Sequence, residues 1–266
     1  IRMIGIIGNG FVGNAVYQNF RDKVSTKVYD VDKNRSLNTL DEVLNQNFVF
    51  VCLPTPMTGD GSCDTTILND FFDSLPNLEN EETIFVVKST VPVGTTSRLA
   101  LKHRVIHNPE FLTARNAVND FANADRNIIG GDRELAEKFG EMFFLNFRNI
   151  PSMIVSSDES EAIKYFSNTF LAYKVAYFNK MYDFCQTLGL DYDKVARGVS
   201  ADHRIGTSHT KVPGIDSDRG FGGTCFPKDL NSLIVQMESV GVNADMLKEV
   251  WKYNEQIRTC IDWIVT

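Results

Sequence analysis

No CxxC pair occurs in this sequence, and its five cysteines, at 52, 63, 185, 225 and 260, are odd in number and widely scattered. Neither a zinc knuckle nor a disulfide framework is therefore indicated. His203 and His209 lack acidic or cysteine partners at ligand spacing, so they are read as loop residues and no metal is expected. There is no basic run, and 27 Lys and Arg against 34 Asp and Glu leave a net charge of −7. That balance argues against nucleic acid or an anionic membrane as partner. No apolar stretch reaches the roughly 18 residues of a membrane-spanning helix. No charged leader precedes an apolar segment either, and a reduced, cytoplasmic protein is the expectation. Internal repeats and low-complexity segments are missing too. What remains is 266 residues, 43% hydrophobic and 23% charged, with length for one large globular domain or two ordinary ones. The sequence opens on Ile1-Arg2-Met3, which makes Met3 a candidate native start.

Through the first half, short apolar or β-branched runs at 3–7, 27–29, 48–52, 84–87, 105–107 and 127–129 alternate with helix-like stretches at 11–21, 65–75, 96–103 and 134–144. Near-continuous apolar strands alternating with helices imply a parallel sheet covered on both faces. The expectation is an α/β fold, a Rossmann-type doubly wound parallel sheet over residues 1–155. From 156 to 266 the pattern turns helical, and an all-α domain built around one long helix is expected. That helix spans 157–188, with no proline inside it and Gly189 just past its end as a stop. Further helices are expected at 191–200, 228–240 and 244–265. Residues 202–227 are rich in Gly, His and Ser and too long for a mere connection. Residues 162–178 are apolar almost all round, so the long helix should be largely buried. One small domain cannot cover that surface, and a homodimer is expected.

Residues 3–13 read MIGIIGNGFVG: a strand, then Gly8, Gly10 and Gly13 in GxGxxG spacing, opening a helix. The spacing allows a tight turn, close approach of backbone N–H groups to a pyrophosphate, and helix-on-strand packing. A second strand ends in Asp30, where a carboxylate accepts from the adenosine ribose hydroxyls. Asp30 and Asp32 would repel a 2′-phosphate, so NAD is favoured over NADP. The cofactor residues are then Gly8, Gly10, Phe11, Val12, Gly13, Asp30 and Lys33. Pro54, Thr55 and Thr90 join them from two loops, 53–56 and 88–95, that leave carboxyl ends of strands.

The sharpest local signal is GFGGTCFPKD at 220–229. Glycines ahead and Pro227 behind place Cys225 on a sharp loop leading into a helix. The helix N-terminus and Lys228 would favour its thiolate, a nucleophile suited to an aldehyde. Cys52 and Cys185 sit in apolar runs and read as structural. On the long helix, Lys164 and Asn168 stand one turn apart on one face. Such polar groups in apolar surroundings need partners, or they clamp a developing oxyanion.

Taken in order, GNGFVG (8–13), LPTP (53–56), KSTVPVGT (88–95), NPEFL (108–112), EAIKYFSNTFLAYKVAYFN (161–179), RIG (204–206) and GFGGTCFPKD (220–229) resemble the UDP-glucose/GDP-mannose dehydrogenase family over essentially the whole chain. The resemblance implies NAD-dependent, four-electron oxidation of the primary alcohol of a nucleotide sugar to a carboxylate, with UDP-glucose to UDP-glucuronate as the expected instance. It implies Cys225 as the nucleophile that forms a thiohemiacetal and then a thioester. It implies Glu110 as the base for thioester hydrolysis, Lys164 and Asn168 as holders of the substrate oxygen, and Asp229 and Thr90 as the pair that positions water. Substrate contacts follow at Glu110, Phe111, Leu112, Lys164, Asn168, Gly222 and Gly223, with Arg204 reaching across a dimer interface. Lys211 is a candidate for pairing with a phosphate.

Two features depart from the family pattern. Ala114 stands where a second glutamate is often found, and the sequence ends at Thr266, within what reads as the central helix, before the family's second, nucleotide-holding Rossmann-like domain. Two other readings stay open. One is a two-electron β-hydroxyacid dehydrogenase of the 6-phosphogluconate type, which has no use for the cysteine loop. The other is a non-catalytic NAD-binding subunit, which has no need of Cys225, Lys164, Asn168 and Glu110 together.

Overall fold

A computed structural model describes residues 3–263. It divides into two compact units. One comprises the chain up to Thr55 with Thr65–Lys164; the other comprises Pro56–Asp64 and the chain from Tyr165 onward.

The first unit is a seven-stranded sheet flanked by helices. In chain order it runs β1 (Met3–Ile7), α1 (Phe11–Phe20), β2 (Ser25–Tyr29), α2 (Leu40–Leu44), β3 (Phe48–Val51), α3 (Thr66–Asp73), β4 (Ile84–Val87) and α4 (Thr95–Leu99). It continues with β5 (Val105–His107), α5 (Ala117–Ala122), β6 (Asn127–Gly131), α6 (Arg133–Asn146) and β7 (Ser152–Val155). The strand order is β2-β1-β3-β4-β5-β6-β7. One expectation needs correction: the sheet is not wholly parallel, because β5 and β6 pair antiparallel. The other five pairings in the sheet are parallel.

Alternation within the strands explains their continuous apolar character. Phe48, Phe50, Ile84 and Val86 pack with α1, α5 and α6 on one face. Val49, Val51, Phe85 and Val87 pack with α2, α3 and α4 on the other. Each buried side chain of this size contributes roughly 1.5–3 kcal/mol relative to exposure.

α7 (Ser157–Leu188) follows, and its first turns belong to the first unit. There Gly130 leaves room against Ser160, where a methyl group would meet the Ser156 carbonyl at 2.9 Å. The Ser160 hydroxyl donates to His107 Nδ1 at 2.8 Å, while Nε2 donates to the Ser89 carbonyl at 3.2 Å. Burial holds the His107 pKa down to about 3. The Glu161 carboxylate accepts from the N–H groups of Gly94 and Thr96, both at 2.7 Å, and so caps α4. Burial raises its pKa to about 7 despite those bonds.

A pH dependence follows. With its folded pKa raised, Glu161 contributes stability that is fully present below about pH 4.5 and lost as pH rises through 7, in all roughly 3 kcal/mol. The depressed His107 works the other way, its contribution present above 6.5 and lost as pH falls through 3. Glu161→Gln has no proton to lose, so its Tm should rise relative to the parent protein between about pH 5 and about pH 8. Thermal melts across that range check this, and a constant Tm difference would refute it.

The second unit is built on the rest of α7 with α8 (Tyr192–Ser200), α9 (Phe226–Ser239) and α10 (Asp245–Ile257). Tyr165, Ala172 and Ala176 of α7 pack with Leu230 and Leu233 of α9 and Leu247 and Val250 of α10. Phe178 and Cys185 pack with Tyr192 and Ala196 of α8. In Pro56–Asp64, Met57 and Cys63 form an isolated β-bridge. The helix expected at 244–265 stops at Ile257. The Arg258 side chain is buried against Asp216 at 2.7 Å, and Asp218 accepts from the N–H groups of Thr259 and Cys260, which ends helical bonding there. Val265 lies outside the described residues, as do Ile1 and Arg2, which precede the candidate start Met3.

Candidate active site

In the first unit, the turn from β1 into α1 has the geometry of a dinucleotide site. A Cβ at Gly13 would collide with the Gly8 carbonyl oxygen, so glycine there is what lets helix and strand approach. Gly10 is the exposed N-cap of α1, no side chain caps the helix, and a Cβ at Gly10 would meet nothing within 4 Å. Uncapped N–H groups over open space suit a pyrophosphate. The Asp30 carboxylate at the end of β2 accepts from Asn9 N at 2.6 Å and Asp32 N at 2.8 Å, which fixes it beside the turn with lone pairs to spare. The Asn9 side-chain oxygen is buried without a hydrogen-bond partner. These residues fit NAD. Of the rest, Val12 is half-buried, and Phe11 and Lys33 are exposed.

The two proline-containing loops meet at the carboxyl ends of β3 and β4. Thr55 Oγ1 donates to the Thr90 carbonyl at 2.7 Å, and Ser89 Oγ to the Leu53 carbonyl at 2.6 Å. Thr55 and Thr90 are buried, whereas Pro54 is exposed. Lys88, which the sequence pattern did not single out, is buried and donates to Asn108 Oδ1 at 2.8 Å. Burial lowers its pKa to about 8. A lysine directly after the all-apolar β4 was the available signal.

Glu110 and Lys164 are brought together. The ammonium donates to the Glu110 carbonyl at 2.5 Å and to Oε1 at 3.0 Å, with side-chain exposures of 3% and 8% for Lys164 and Glu110. The other carboxylate oxygen accepts from Leu112 N at 2.6 Å. Phe111 lies under two cations, with Arg126 4.1 Å and Lys164 5.3 Å from its ring centre. Lys88, Glu110, Phe111 and Leu112 line a cavity of about 270 Å³ within this unit. That is just below the range of whole small-molecule sites.

In the second unit, Cys225 is the N-cap of α9, half-buried, with Pro227 in the first turn. Asp229, 1% exposed, accepts from Asn168 Nδ2 at 2.6 Å and from Lys228 Nζ at 2.6 Å. The cation expected beside the cysteine is thus already paired with a carboxylate. Burial lowers the Lys228 pKa, but Asp229, Cys63 and Cys225 together outweigh it, and the net shift is upward. Cys63 also faces Tyr165, whose hydroxyl lies 2.9 Å from Ser232 Oγ; burial first, then Cys63, pushes the Tyr165 pKa well up. Sequence reasoning missed both Cys63 and Tyr165, since nothing local marks a loop residue 102 positions from its helix partner.

Gly223 N donates to Asp262 Oδ1 at 2.9 Å, and Gly222 is half-buried beside it. Arg204 is exposed and paired in two-pronged fashion with Asp202, at 2.5 Å for Nη2. Lys211 is exposed. Among the described residues, no group of His, Cys, Asp and Glu could hold a metal ion, and no helix is long and apolar enough to cross a membrane.

Residues 35–148 match the NAD binding domain of the UDP-glucose/GDP-mannose dehydrogenase family, and residues 158–256 match its central domain. A UDP-glucose 6-dehydrogenase of Rickettsia conorii is 32% identical over 249 residues, covering 91% of this chain and 56% of that protein. The chain therefore spans little more than half the length of such a relative. A UDP-glucose dehydrogenase structure from the archaeon Pyrobaculum islandicum superposes with a TM-score of 0.82 at 26% identity, covering 96% of this chain and 68% of that one. A 3-hydroxyisobutyrate dehydrogenase from Mycobacterium tuberculosis, at 16% identity and TM-score 0.75 over 99% and 97% of the two chains, shares the fold. With two domain models of one family matched in order over residues 35–148 and 158–256, the chain belongs to the UDP-glucose/GDP-mannose dehydrogenase family.

Proposed function

We propose that this chain carries the catalytic residues of a nucleotide-sugar dehydrogenase that oxidises a primary alcohol to a carboxylate, with UDP-glucose as the first substrate to test. The observation that carries the reading is the buried Glu110–Lys164 pair. Burying two opposite charges is seldom a gain in stability over apolar packing, so such a pair has reason to persist for chemistry. NAD, held by the Gly8–Gly13 turn and Asp30, supplies the acceptor for two successive two-electron oxidations.

The chain's own residues do the remainder. Lys164 spends two of its three N–H donors on Glu110, which leaves one for the substrate oxygen. Asn168 spends one Nδ2 donor on Asp229 and keeps the other for the same oxygen. Both stabilise negative charge as it develops there. After the first oxidation the Cys225 sulfur adds to the aldehyde carbon and the oxygen takes up a proton. After the second, the carbon is a thioester. Glu110 removes a proton from the attacking water, the C–S bond breaks, and Cys225 leaves as thiolate with the carboxylic product. Thr90 and Asp229 position that water. Gly222, Gly223, Phe111 and Leu112 contact the sugar, Lys211 a phosphate, and Arg204 the substrate of a neighbouring subunit. The cytoplasm supplies NAD and reduced thiols together.

The test is a set of UDP- and GDP-sugars incubated with NAD, counting NADH per sugar acid formed. Two are expected. One NADH per sugar, with turnover indifferent to thiol alkylation, would favour the β-hydroxyacid reading instead.

The same proposal includes a homodimer. Phe166, Phe170, Tyr173, Tyr177, Phe184 and Leu188 are all exposed along α7, Phe170 by 66%. Their spacing puts them on one stripe of a helix about 48 Å long. The expectation of a largely buried α7 thus fails within a single copy, and a second copy's matching stripe is the cover that restores it. Light scattering should report a dimer at micromolar concentration and a monomer for Phe170→Glu. A monomeric parent protein would contradict the assignment.

A further inference from the structure

The segment Gly220–Thr224 is itself neither helix nor strand, yet it must deliver Cys225 to one place. Three of its backbone N–H groups are taken by side chains from elsewhere in the helical unit. Asn179 Oδ1 of α7 accepts from Gly220 N at 3.1 Å. Asn254 Oδ1 of α10 accepts from Phe221 N at 2.8 Å, and Asn254 Nδ2 donates to the Phe221 carbonyl at 2.9 Å. Asp262 Oδ1 accepts from Gly223 N at 2.9 Å and is itself paired with Arg258 at 3.2 Å.

Asn254 is 0% exposed, and its carboxamide satisfies both backbone groups of Phe221 much as a neighbouring strand would. Space is matched as closely. Gly220 adopts φ +68°, and a Cβ there would strike Asn254 Oδ1. A Cβ at Gly222 would strike the Arg258 guanidinium. A glycine-rich turn is otherwise the least ordered way to present a nucleophile, because glycine loses most conformational freedom on being fixed. Carbon–sulfur bond formation tolerates little misplacement.

We propose that Asn254 is a positioning residue for Cys225: its buried carboxamide clamps the Phe221 backbone and so fixes the glycine turn that ends at the N-cap of α9. Asn179 and Asp262 hold the same turn from either side. The proposal rests on the reading of Cys225 as nucleophile, but its test does not require turnover.

The probe is iodoacetamide, with alkylation of the Cys225 peptide followed by mass spectrometry at temperatures where circular dichroism shows each protein folded. Asn254→Asp keeps the shape. As a carboxylate it sets two acceptor oxygens against Phe221 and loses the donor to its carbonyl. Protonated, it regains one donor and one acceptor. Compared with the parent protein at matched pH, Cys225 alkylation in Asn254→Asp should slow about tenfold near pH 8.5 and return toward the parent rate near pH 5.5. A rate equal to the parent's at every pH, or a change that acid does not reverse, overturns the proposal. Should Asn254→Asp fail to fold, Asp262→Ala, at a half-exposed site, replaces it, with alkylation about threefold slower expected and an unchanged rate decisive against. Two NADH per sugar from Cys225→Ser would sink the nucleophile reading and leave the clamp untouched, so the two failures are separable.

Discussion

Replacing Cys225 with serine is expected to reduce formation of the sugar acid at least about a thousandfold and to leave no more than one NADH per sugar. A hydroxyl is a far weaker nucleophile than a thiolate, and no thioester can form without sulfur. Two of the other cysteines do not compete for the role. Cys52 is pushed up to about 12 by burial, and Cys185 is packed inside the α7–α8 contact. Cys225 alone caps a helix that opens with a proline and has no side-chain cap of its own. Counting NADH and acid product together separates the two oxidations. A serine variant that still yields two NADH per sugar would end the covalent mechanism.

Lys164→Met should be the most damaging substitution for stability. It leaves the Glu110 carboxylate buried, still tied to Leu112 N but stripped of its cation. Breaking a buried pair from one side costs about 3–5 kcal/mol, equivalent to roughly 10 °C in Tm for a chain of this size. Adding Glu110→Gln removes the orphan charge, so Lys164→Met with Glu110→Gln should recover most of that Tm. It should recover none of the turnover, because both the oxyanion donor and the base are gone. A double variant as unstable as the single one would show that the ion pair is not what Lys164 contributes to the fold.

The contrast between these residues shows what sequence alone conveys. β1, β3, β4 and β5 were legible because strands buried on both faces are apolar without a break, and α7 because Gly189 marks its end. β7 was not, since it lies at the sheet edge with Ser152, Met153 and Ile154 exposed and so lacks the buried-strand signature. The five-residue α2 was missed although Thr39 and Glu42 form a capping box, a signal available in the sequence. Helix ends set by distant contacts, such as Arg258 drawing α10 to a close, are invisible to local pattern.

In the site, the Gly8–Asp30 region could be read from spacing, because its chemistry is done by backbone within one strand–helix unit. Glu110 and Lys164, 54 residues apart, could be paired only through resemblance to a family. Lys88 and Glu161 each open a motif that carries the resemblance yet gain no role from it, and Asn254 lies outside all of them. Each is an ordinary polar residue in its own helix or loop, and its importance arises from the remote backbone or amide it satisfies after folding.

The close fit of Gly220 to Asn254 and of Gly222 to Arg258 also restricts how this chain can diverge. A side chain gained at either glycine leaves no volume for its helix partner, and a smaller partner leaves a vacancy that only a bulkier turn would fill. Lineages that drift at one member of either couple must therefore acquire a compensating change at the other. Among diverged sequences these positions should co-vary, even though they lie more than thirty residues apart.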